Sequence, residues 1–298
     1  MSTATKHHGI IVCVDGSPTS AAAVEWAARD AALRKIPLTV VNVLNPSMAT
    51  TLGGVPMPLP PEFTQWQQDE GRTILHDALT TVEEVTKLVG PIDVGGESVI
   101  GPTVPILAEL SKDAEMVVVG SHGRGALARR LLGSVSTGLI HHAHCPVAVI
   151  PHQDPLKPHP SQAPVVVGID GSAASDSATA IAFDEASRRG VELVALHAWS
   201  DTAMFEFRVP DWSAVRSEAE EILAERLAGW QERYPDVDVC RVIECDRPAH
   251  QLVEQSGSAQ LVVVGSHGRG GFTGMLLGSV STAVVHAARS PVIVGRQP

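Results

Sequence analysis

The nine residues VVVGSHGRG occur twice in the chain, at positions 117–125 and again at 262–270. A run of valines followed at once by a glycine-rich turn is typical of a buried parallel strand that leads into a loop. The similarity extends well beyond the nine residues, because 117–150 and 262–295 share 21 of 34 positions. The two copies are 145 residues apart. Solenoid repeats have periods of about 20 to 50 residues, so a repeat with this much longer period predicts two whole domains.

The beginning of the chain repeats in the same register, with Asp15-Gly16-Ser17 corresponding to Asp170-Gly171-Ser172. We therefore expect one domain at residues 1–152 and a second at 164–298. The stretch between them, 153–163, is rich in proline, which suits an extended linker better than a helix or a central strand.

Each half alternates short β-branched runs with longer segments of helical period. This alternation is typical of βαβ units and predicts an α/β fold with a parallel sheet. The first helix is expected to begin well, because Ser17 can cap it and Pro18 suits its first position. The expected strands lie near residues 10–15, 38–44, 93–100, 116–120 and 146–150 in the first half, and near 164–170, 192–198, 237–244, 261–265 and 291–295 in the second. Five strands with right-handed crossovers predict a doubly wound sheet in each domain, which binds ligands where the strand order reverses.

Composition narrows the class of protein. The chain has 22 Lys and Arg against 33 Asp and Glu, a formal net charge of −11, which disfavours binding to nucleic acid. Uninterrupted apolar runs of 18 residues do not occur, so we expect no membrane span, and the polar start is unlike a signal peptide. The four cysteines form no Cys-x-x-Cys pair, which favours reduced thiols and a cytoplasmic protein.

The repeated loop predicts a phosphate-binding site in each half. Its glycines let the main chain approach a ligand, and the following helix presents unpaired N–H groups and a partial positive charge. Hydroxyls of the helix opening and arginines of the loop, including Arg129 and Arg130, can add donors. The residues expected to form the two sites are Gly120, Gly123, Arg124, Gly133, Ser134, Val135 and Ser136 in the first half, and Gly265, Gly268, Arg269, Gly278, Ser279, Val280 and Ser281 in the second. The alternative is a loop whose glycines only make the turn and whose Ser134 only caps the helix.

Asp15 and Asp170 each follow the first strand of a half. A carboxylate at the carboxyl end of a strand can accept ribose hydroxyls or hold a metal ion that neutralises phosphate. The alternative role is that of a helix-capping residue.

The spacing Gly-x2-Gly-x9-Gly-Ser, together with the Asp that ends the first strand, resembles the ATP-binding branch of the universal stress protein family. The resemblance covers nearly the whole chain twice, as in tandem-domain members. It implies a Rossmann-like strand order of 3-2-1-4-5, with ATP phosphates on the glycine loop. It also implies that Asp15 and Asp170 lie beside the ribose and phosphates, where Mg²⁺ is bound with the ATP. Adenine is expected at the end of the second strand, near Val43 and Ala198. The preceding residues, Asn42 and His197, leave the choice of base open.

The function that these patterns favour is a nucleotide-dependent regulator of stress response or growth, with one ATP site in each domain. An alternative is a slow ATP hydrolase or phosphotransferase, for which Asp15 and His122 could activate water. A third class is an interaction module that has lost its ligand. The last strand of each domain is an edge in the expected order, so we predict that the two domains pair there and that the chain forms a homodimer.

Overall fold

The computed structural model describes residues 8–45, 51–52, 55–56, 61–124, 132–152, 162–199, 212–245, 247–268 and 277–296. The chain divides into two compact units, Met1–His152 and Gln153–Pro298.

The first unit alternates strands and helices along most of its length. Its elements are β1 (Gly9–Val14), α1 (Pro18–Arg34), β2 (Leu38–Leu44), β3 (Thr51–Leu52), β4 (Val55–Pro56), α2 (Pro61–Val89), β5 (Val94–Ile100), α3 (Thr103–Leu110), β6 (Ala114–Gly120), α4 (Ser134–His142) and β7 (Val147–Ile150). The short strands β3 and β4 pair with each other as an antiparallel hairpin.

The second unit repeats the main strands and helices of the first. Its elements are β8 (Val165–Gly168), α5 (Ala173–Arg189), β9 (Leu193–Trp199), α6 (Trp212–Arg233), β10 (Val239–Cys245), α7 (Pro248–Gln255), β11 (Leu261–Gly265), α8 (Ser279–Ala287) and β12 (Val292–Gly295).

The strand order confirms the predicted doubly wound fold. In the first unit the parallel order is β5-β2-β1-β6-β7, and in the second it is β10-β9-β8-β11-β12. The hairpin strands β3 and β4 are not part of this sheet, and the five parallel strands of each unit are its main strands. When these are numbered 1 to 5 in chain order, the order in both units is 3-2-1-4-5. The order reverses beside β1 and β8, so the edge where these strands end is the expected ligand site.

The core explains why the strands read as nearly continuous apolar runs. Ile10, Ile11 and Val12 of β1 are all fully buried, as expected for a central strand that is covered on both faces. Helix α1 packs on β6 and β7, and α2 packs on β2 and β5.

Helix α1 begins as the sequence predicts. Ser17 is the N-cap, its Oγ accepting from the N–H of Ser20 at 3.2 Å, and Pro18 is the first helical residue. Helix α5 has the equivalent cap at Ser172. Within the described ranges, no helix is both long enough and apolar enough to span a bilayer.

Candidate functional site

A cleft of about 160 Å³ opens at the carboxyl ends of β1 and β6 in the first unit. These two strands are neighbours at the point where the strand order reverses. Eight residues predicted from the sequence line the cleft: Asp15, Val43, Gly120, Gly123, Gly133, Ser134, Val135 and Ser136. The fold therefore brings the glycine loop, the aspartate and the end of β2 to one place.

Helix α4 enters this cleft without a side-chain cap. Its N-cap is Gly133, in an extended conformation with φ −67° and ψ 155°, and no side chain accepts from its first amides. The first N–H groups of a helix have no intrahelical partner, so those of Ser134, Val135 and Ser136 are left as donors at the cleft. Together with the helix dipole, these donors are of the kind that can bind an anion.

Two hydrogen bonds close the base of the glycine loop. The N–H of Gly133 donates to the Ser121 carbonyl at 2.7 Å, and Ser136 Oγ donates to the Gly120 carbonyl at 2.8 Å. The buried hydroxyl of Ser136 therefore serves the loop itself. The exposed Ser134 keeps its hydroxyl for a ligand.

Asp15 connects the first strand to the glycine loop. Its Oδ1 accepts from the N–H of Ser17 at 2.9 Å, and its Oδ2 accepts from the N–H of Arg124 at 3.3 Å. Gly123 permits this approach, since a Cβ there would lie 2.7 Å from Asp15 Oδ2. Because Ser17 is the N-cap of α1, Asp15 is not the capping residue; it holds a carboxylate at the wall of the cleft.

Gly120 has a packing role that the sequence did not reveal. A Cβ at this position would lie 2.7 Å from the carbonyl carbon of Thr19 and 2.9 Å from the N of Ser20, both main-chain atoms of α1. The equivalent Gly265 would place a Cβ 2.7 Å from the carbonyl carbon of Ala174. These glycines let the first turn of a helix lie directly against the end of the fourth main strand.

Among the described residues that the sequence predicts for the first site, Arg124 is the one that does not line the cleft. Its guanidinium forms an ion pair with Glu70 of α2 and borders a separate cavity of about 380 Å³ between α1 and α2. It also covers Gly16, which has a φ of +77° and where a Cβ would lie 2.5 Å from Arg124 Nη2. The side chain thus lies on the α1 and α2 side of the Asp15–Ser17 turn.

The end of β2 supplies an apolar wall. Val41 and Val43 line the cleft opposite Leu107 of α3. Asn42, between them, faces away because side chains alternate along a strand. Its Nδ2 donates to the Val14 carbonyl at 2.8 Å, which ties β2 to β1.

His197 in the second unit makes the equivalent contact, with its Nδ1 2.7 Å from the Ile169 carbonyl oxygen. Asn42 and His197 therefore have the same structural role, in which each links the first two main strands of its unit. Asn42, whose side chain is directed away from the cleft, is thus poorly placed to select a base.

His122 belongs to the glycine loop and is fixed there by hydrogen bonds. Its carbonyl accepts from the hydroxyls of Ser17 and Thr19, and its Nδ1 lies 2.7 Å from Ser121 Oγ. Its Nε2 is buried without a hydrogen-bond partner, and the residue lines the cleft. A buried nitrogen without a partner is uncommon and marks a place where a ligand or a water molecule can bind.

Cys13 also lines the cleft. Burial, and secondly the nearby carboxylate of Asp15, raises the pKa of the Cys13 thiol above its usual range. The thiol is therefore neutral at physiological pH and a weak nucleophile. The second unit has Gly168 at the equivalent position, so this position carries a thiol in the first unit but not in the second.

The second unit repeats the geometry of the glycine loop. Helix α8 begins at Ser279, and its N-cap residue is Gly278, so no side chain caps the helix. The N–H of Gly278 donates to the Ser266 carbonyl at 2.8 Å. Ser281 Oγ donates to the Gly265 carbonyl at 2.5 Å. A Cβ on Gly268 would lie 2.5 Å from Asp170 Oδ2, the counterpart of the Gly123 contact.

The remaining predicted residues of the second unit fall on the same elements as in the first. Ala198 lies on β9, and Val280 lies in the first turn of α8. Arg129, Arg130 and Arg269 lie outside the described residues. Asp170 accepts from the N–H and the hydroxyl of Ser172, at 2.9 and 2.7 Å, so its carboxylate is fixed at the end of the first strand.

In the part of the chain that the structure describes, no group of three or more His, Cys, Asp or Glu side chains is placed to hold a metal ion. A cation at either site would therefore take one protein carboxylate, from Asp15 or Asp170, and complete its shell with ligand oxygens and water. Mg²⁺ is commonly bound in this way beside nucleotide phosphates.

Comparison with known proteins gives a consistent result over the whole chain. The model of the Universal stress protein family matches residues 7–151 and 163–296. Universal stress protein Rv2005c of Mycobacterium tuberculosis is 61% identical over 297 residues, which cover 100% of both chains. Universal stress protein Rv2623 of the same organism is 57% identical over 297 residues, covering 100% of this chain and 99% of that one.

Among solved structures, a universal stress protein from Archaeoglobus fulgidus has the same fold. It superposes with a TM-score of 0.72 at 20% identity and covers 98% of this chain and 100% of its own.

Proposed function

We propose, since the chain belongs to the universal stress protein family, that each unit binds one ATP molecule and that occupancy of the two sites regulates the protein. The observation that carries this proposal is the uncapped start of α4, and of α8, beside a loop whose glycines expose the main chain. A site made of amide donors at a helix N-terminus suits phosphate.

The charge of the cleft explains why a metal ion belongs in the proposal. None of the described residues that line it is Lys or Arg, and Asp15 adds a negative charge. A triphosphate beside this carboxylate would be repelled, and Mg²⁺ between the two would remove the repulsion. We therefore propose that Asp15 and Asp170 take part in binding Mg-ATP. Mg²⁺ would neutralise the phosphates, whereas the amides of the helix start would orient them.

The apolar wall of the cleft suits a nucleobase. Val43 is part-exposed and offers a surface on which a flat ring can pack, with the buried Val41 and Leu107 behind it. Main-chain groups near Val43, at the end of β2, would then recognise its edge. Phosphate donors at one end and an apolar wall at the other favour a nucleotide over a free phosphate.

Cys13 provides a direct test of occupancy at the first site. Iodoacetamide is expected to modify this thiol slowly, because its raised pKa leaves little thiolate. ATP should slow the reaction further, since it would cover the thiol in the cleft. Peptide mass spectrometry can follow Cys13, with Cys240 as the internal control outside the cleft. Equal alkylation of Cys13 with and without saturating Mg-ATP would count against the site.

A slow ATP hydrolase is the second candidate, and His122 is the observation that favours it. Its unpartnered Nε2 and the carboxylate of Asp15 both belong to residues that line the cleft. Either group could accept a proton from an attacking water molecule.

We nevertheless expect ATP to be bound and released largely intact. His122 Nε2 is buried, and the Asp15 carboxylate already accepts from two main-chain amides, whereas a base must be free to approach the water that it activates. The measurement is release of inorganic phosphate from Mg-ATP by the wild type and by His122→Gln. Multiple turnovers per minute that disappear in His122→Gln would assign the protein to the hydrolases instead.

The free thiols bear on the cellular location of the protein. Cys13, Cys145 and Cys240 are free thiols, which agrees with the cytoplasmic location that we propose. Pairing of the two domains through their last strands, and dimerisation of the chain, stay predictions.

A further inference from the structure

The ion pair between Arg124 and Glu70 links the glycine loop to a helix that does not belong to the cleft. Arg124 directly follows Gly123, and its N–H donates to Asp15 Oδ2, so its main chain lies at the rim of the cleft. Its guanidinium instead pairs with Glu70, in the first half of α2. One residue thus joins the candidate nucleotide site to α2.

Two different groups could bind the side chain of Arg124. Glu70 offers one carboxylate on the α2 side, and a triphosphate in the cleft would offer several negative oxygens on the other side. The arginine side chain has four rotatable bonds. Its planar guanidinium can donate two parallel hydrogen bonds to a carboxylate or to a phosphate. While it pairs with Glu70, the Arg124 side chain does not line the cleft, so the guanidinium must leave Glu70 to reach phosphates there.

We propose, on the basis of the nucleotide site inferred above, that Glu70 is a positioning residue that competes with bound nucleotide for Arg124. In the free protein Glu70 holds the guanidinium over Gly16 and away from the phosphates. When the nucleotide binds, Arg124 turns to the phosphates and Glu70 is released. Nucleotide binding then removes the Arg124 side chain from the edge of the cavity between α1 and α2. The environment of α2 thus depends on whether the first site is occupied.

The strength of the ion pair sets the size of the effect. The side chains of Arg124 and Glu70 are 44% and 34% exposed, so solvent weakens their attraction. Such pairs are easily broken by a ligand with more charge. Removing Glu70 should therefore raise the affinity of the first site by roughly 2- to 5-fold, the range expected for an exposed ion pair.

The test compares Glu70→Gln with Asp69→Asn in the full chain. Both substitutions remove one negative charge from the same turn of α2, but Asp69 pairs with Arg72 and not with the loop. Calorimetric titration with Mg-ATP should show tighter binding at the first site in Glu70→Gln only. Titration with adenosine should show no difference between the two variants, because adenosine lacks the phosphates for which Arg124 is needed. Thermal melts confirm that both variants fold.

A second arm uses Arg124→Gln as the background. In that background Glu70→Gln should no longer tighten ATP binding, since the competed side chain is gone. The inference is wrong if Glu70→Gln and Asp69→Asn bind ATP equally, if adenosine shows the same gain, or if the gain persists without Arg124. Wild-type protein that binds no ATP would remove the proposed nucleotide site and this inference together, whereas the other outcomes would leave the nucleotide site standing.

Discussion

Replacing Ser134 with proline is expected to weaken ATP binding in the first unit by about 10- to 100-fold while the fold stays intact. Proline removes the N–H of Ser134, one of the uncapped donors at the start of α4. A hydrogen bond to a charged group contributes about 1.5 to 3 kcal/mol, which corresponds to this loss. The measurement is calorimetric titration of the full chain with Mg-ATP.

The local geometry makes proline acceptable at this position. Ser134 is the first helical residue, where proline is well tolerated, and Gly133 before it already has the extended backbone that proline requires. Ser134→Ala is the matched control, because it removes the hydroxyl and keeps the N–H. If both variants bind ATP with the same affinity, the main-chain donor has no part in binding and the hydroxyl alone explains any loss.

Gly120→Ala is expected to destabilise the first unit by about 1 to 3 kcal/mol, the usual cost of overpacking a tight contact. Its Cβ would lie 2.7 Å from the carbonyl carbon of Thr19. Main-chain atoms cannot rotate out of the way, so the start of α1 must move away from β6. Hydrogen exchange resolved by peptide mass spectrometry should show faster exchange in α1 and β6 and no change in the second unit.

Gly123→Ala separates packing from binding. Its Cβ would meet Asp15 Oδ2 at 2.7 Å, the end of a side chain that can turn aside. We expect nearly wild-type hydrogen exchange and weaker ATP binding, because the carboxylate would be displaced from its place in the cleft. If Gly123→Ala destabilises the unit as much as Gly120→Ala does, the division into a packing glycine and a site glycine is wrong.

Local patterns were sufficient to predict the sheet and the helix that follows each glycine loop, whereas they left open whether Ser134 caps that helix. The β-branched runs are fully buried strands, as at Val117 and Val118, and their alternation with helices predicts the doubly wound order. The glycine before Ser134 and before Ser279 marks a helix start without a capping side chain. The repeat made these features recognisable, since a glycine that recurs at the same spacing is easier to interpret than a single one.

Contacts between distant residues could not be predicted in the same way. Arg124 and Glu70 are 54 positions apart, and nothing in either local sequence indicates the pair. The local sequence therefore predicts the loop arginine at the phosphates, whereas its side chain lies on the other side of the Asp15–Ser17 turn. The packing role of Gly120 could not be predicted for the same reason, because its close contact with Thr19 depends on how α1 lies on the sheet.

The stoichiometry of ATP binding tests the central claim most directly. Calorimetric titration at ATP concentrations that just saturate the wild type should count two ATP molecules per chain. The same titration should count one for Ser134→Pro and none for the double variant Ser134→Pro/Ser279→Pro. A wild-type chain that binds no ATP, or a folded double variant that still binds two, would contradict the claim that main-chain amides at these two helix starts hold the nucleotide.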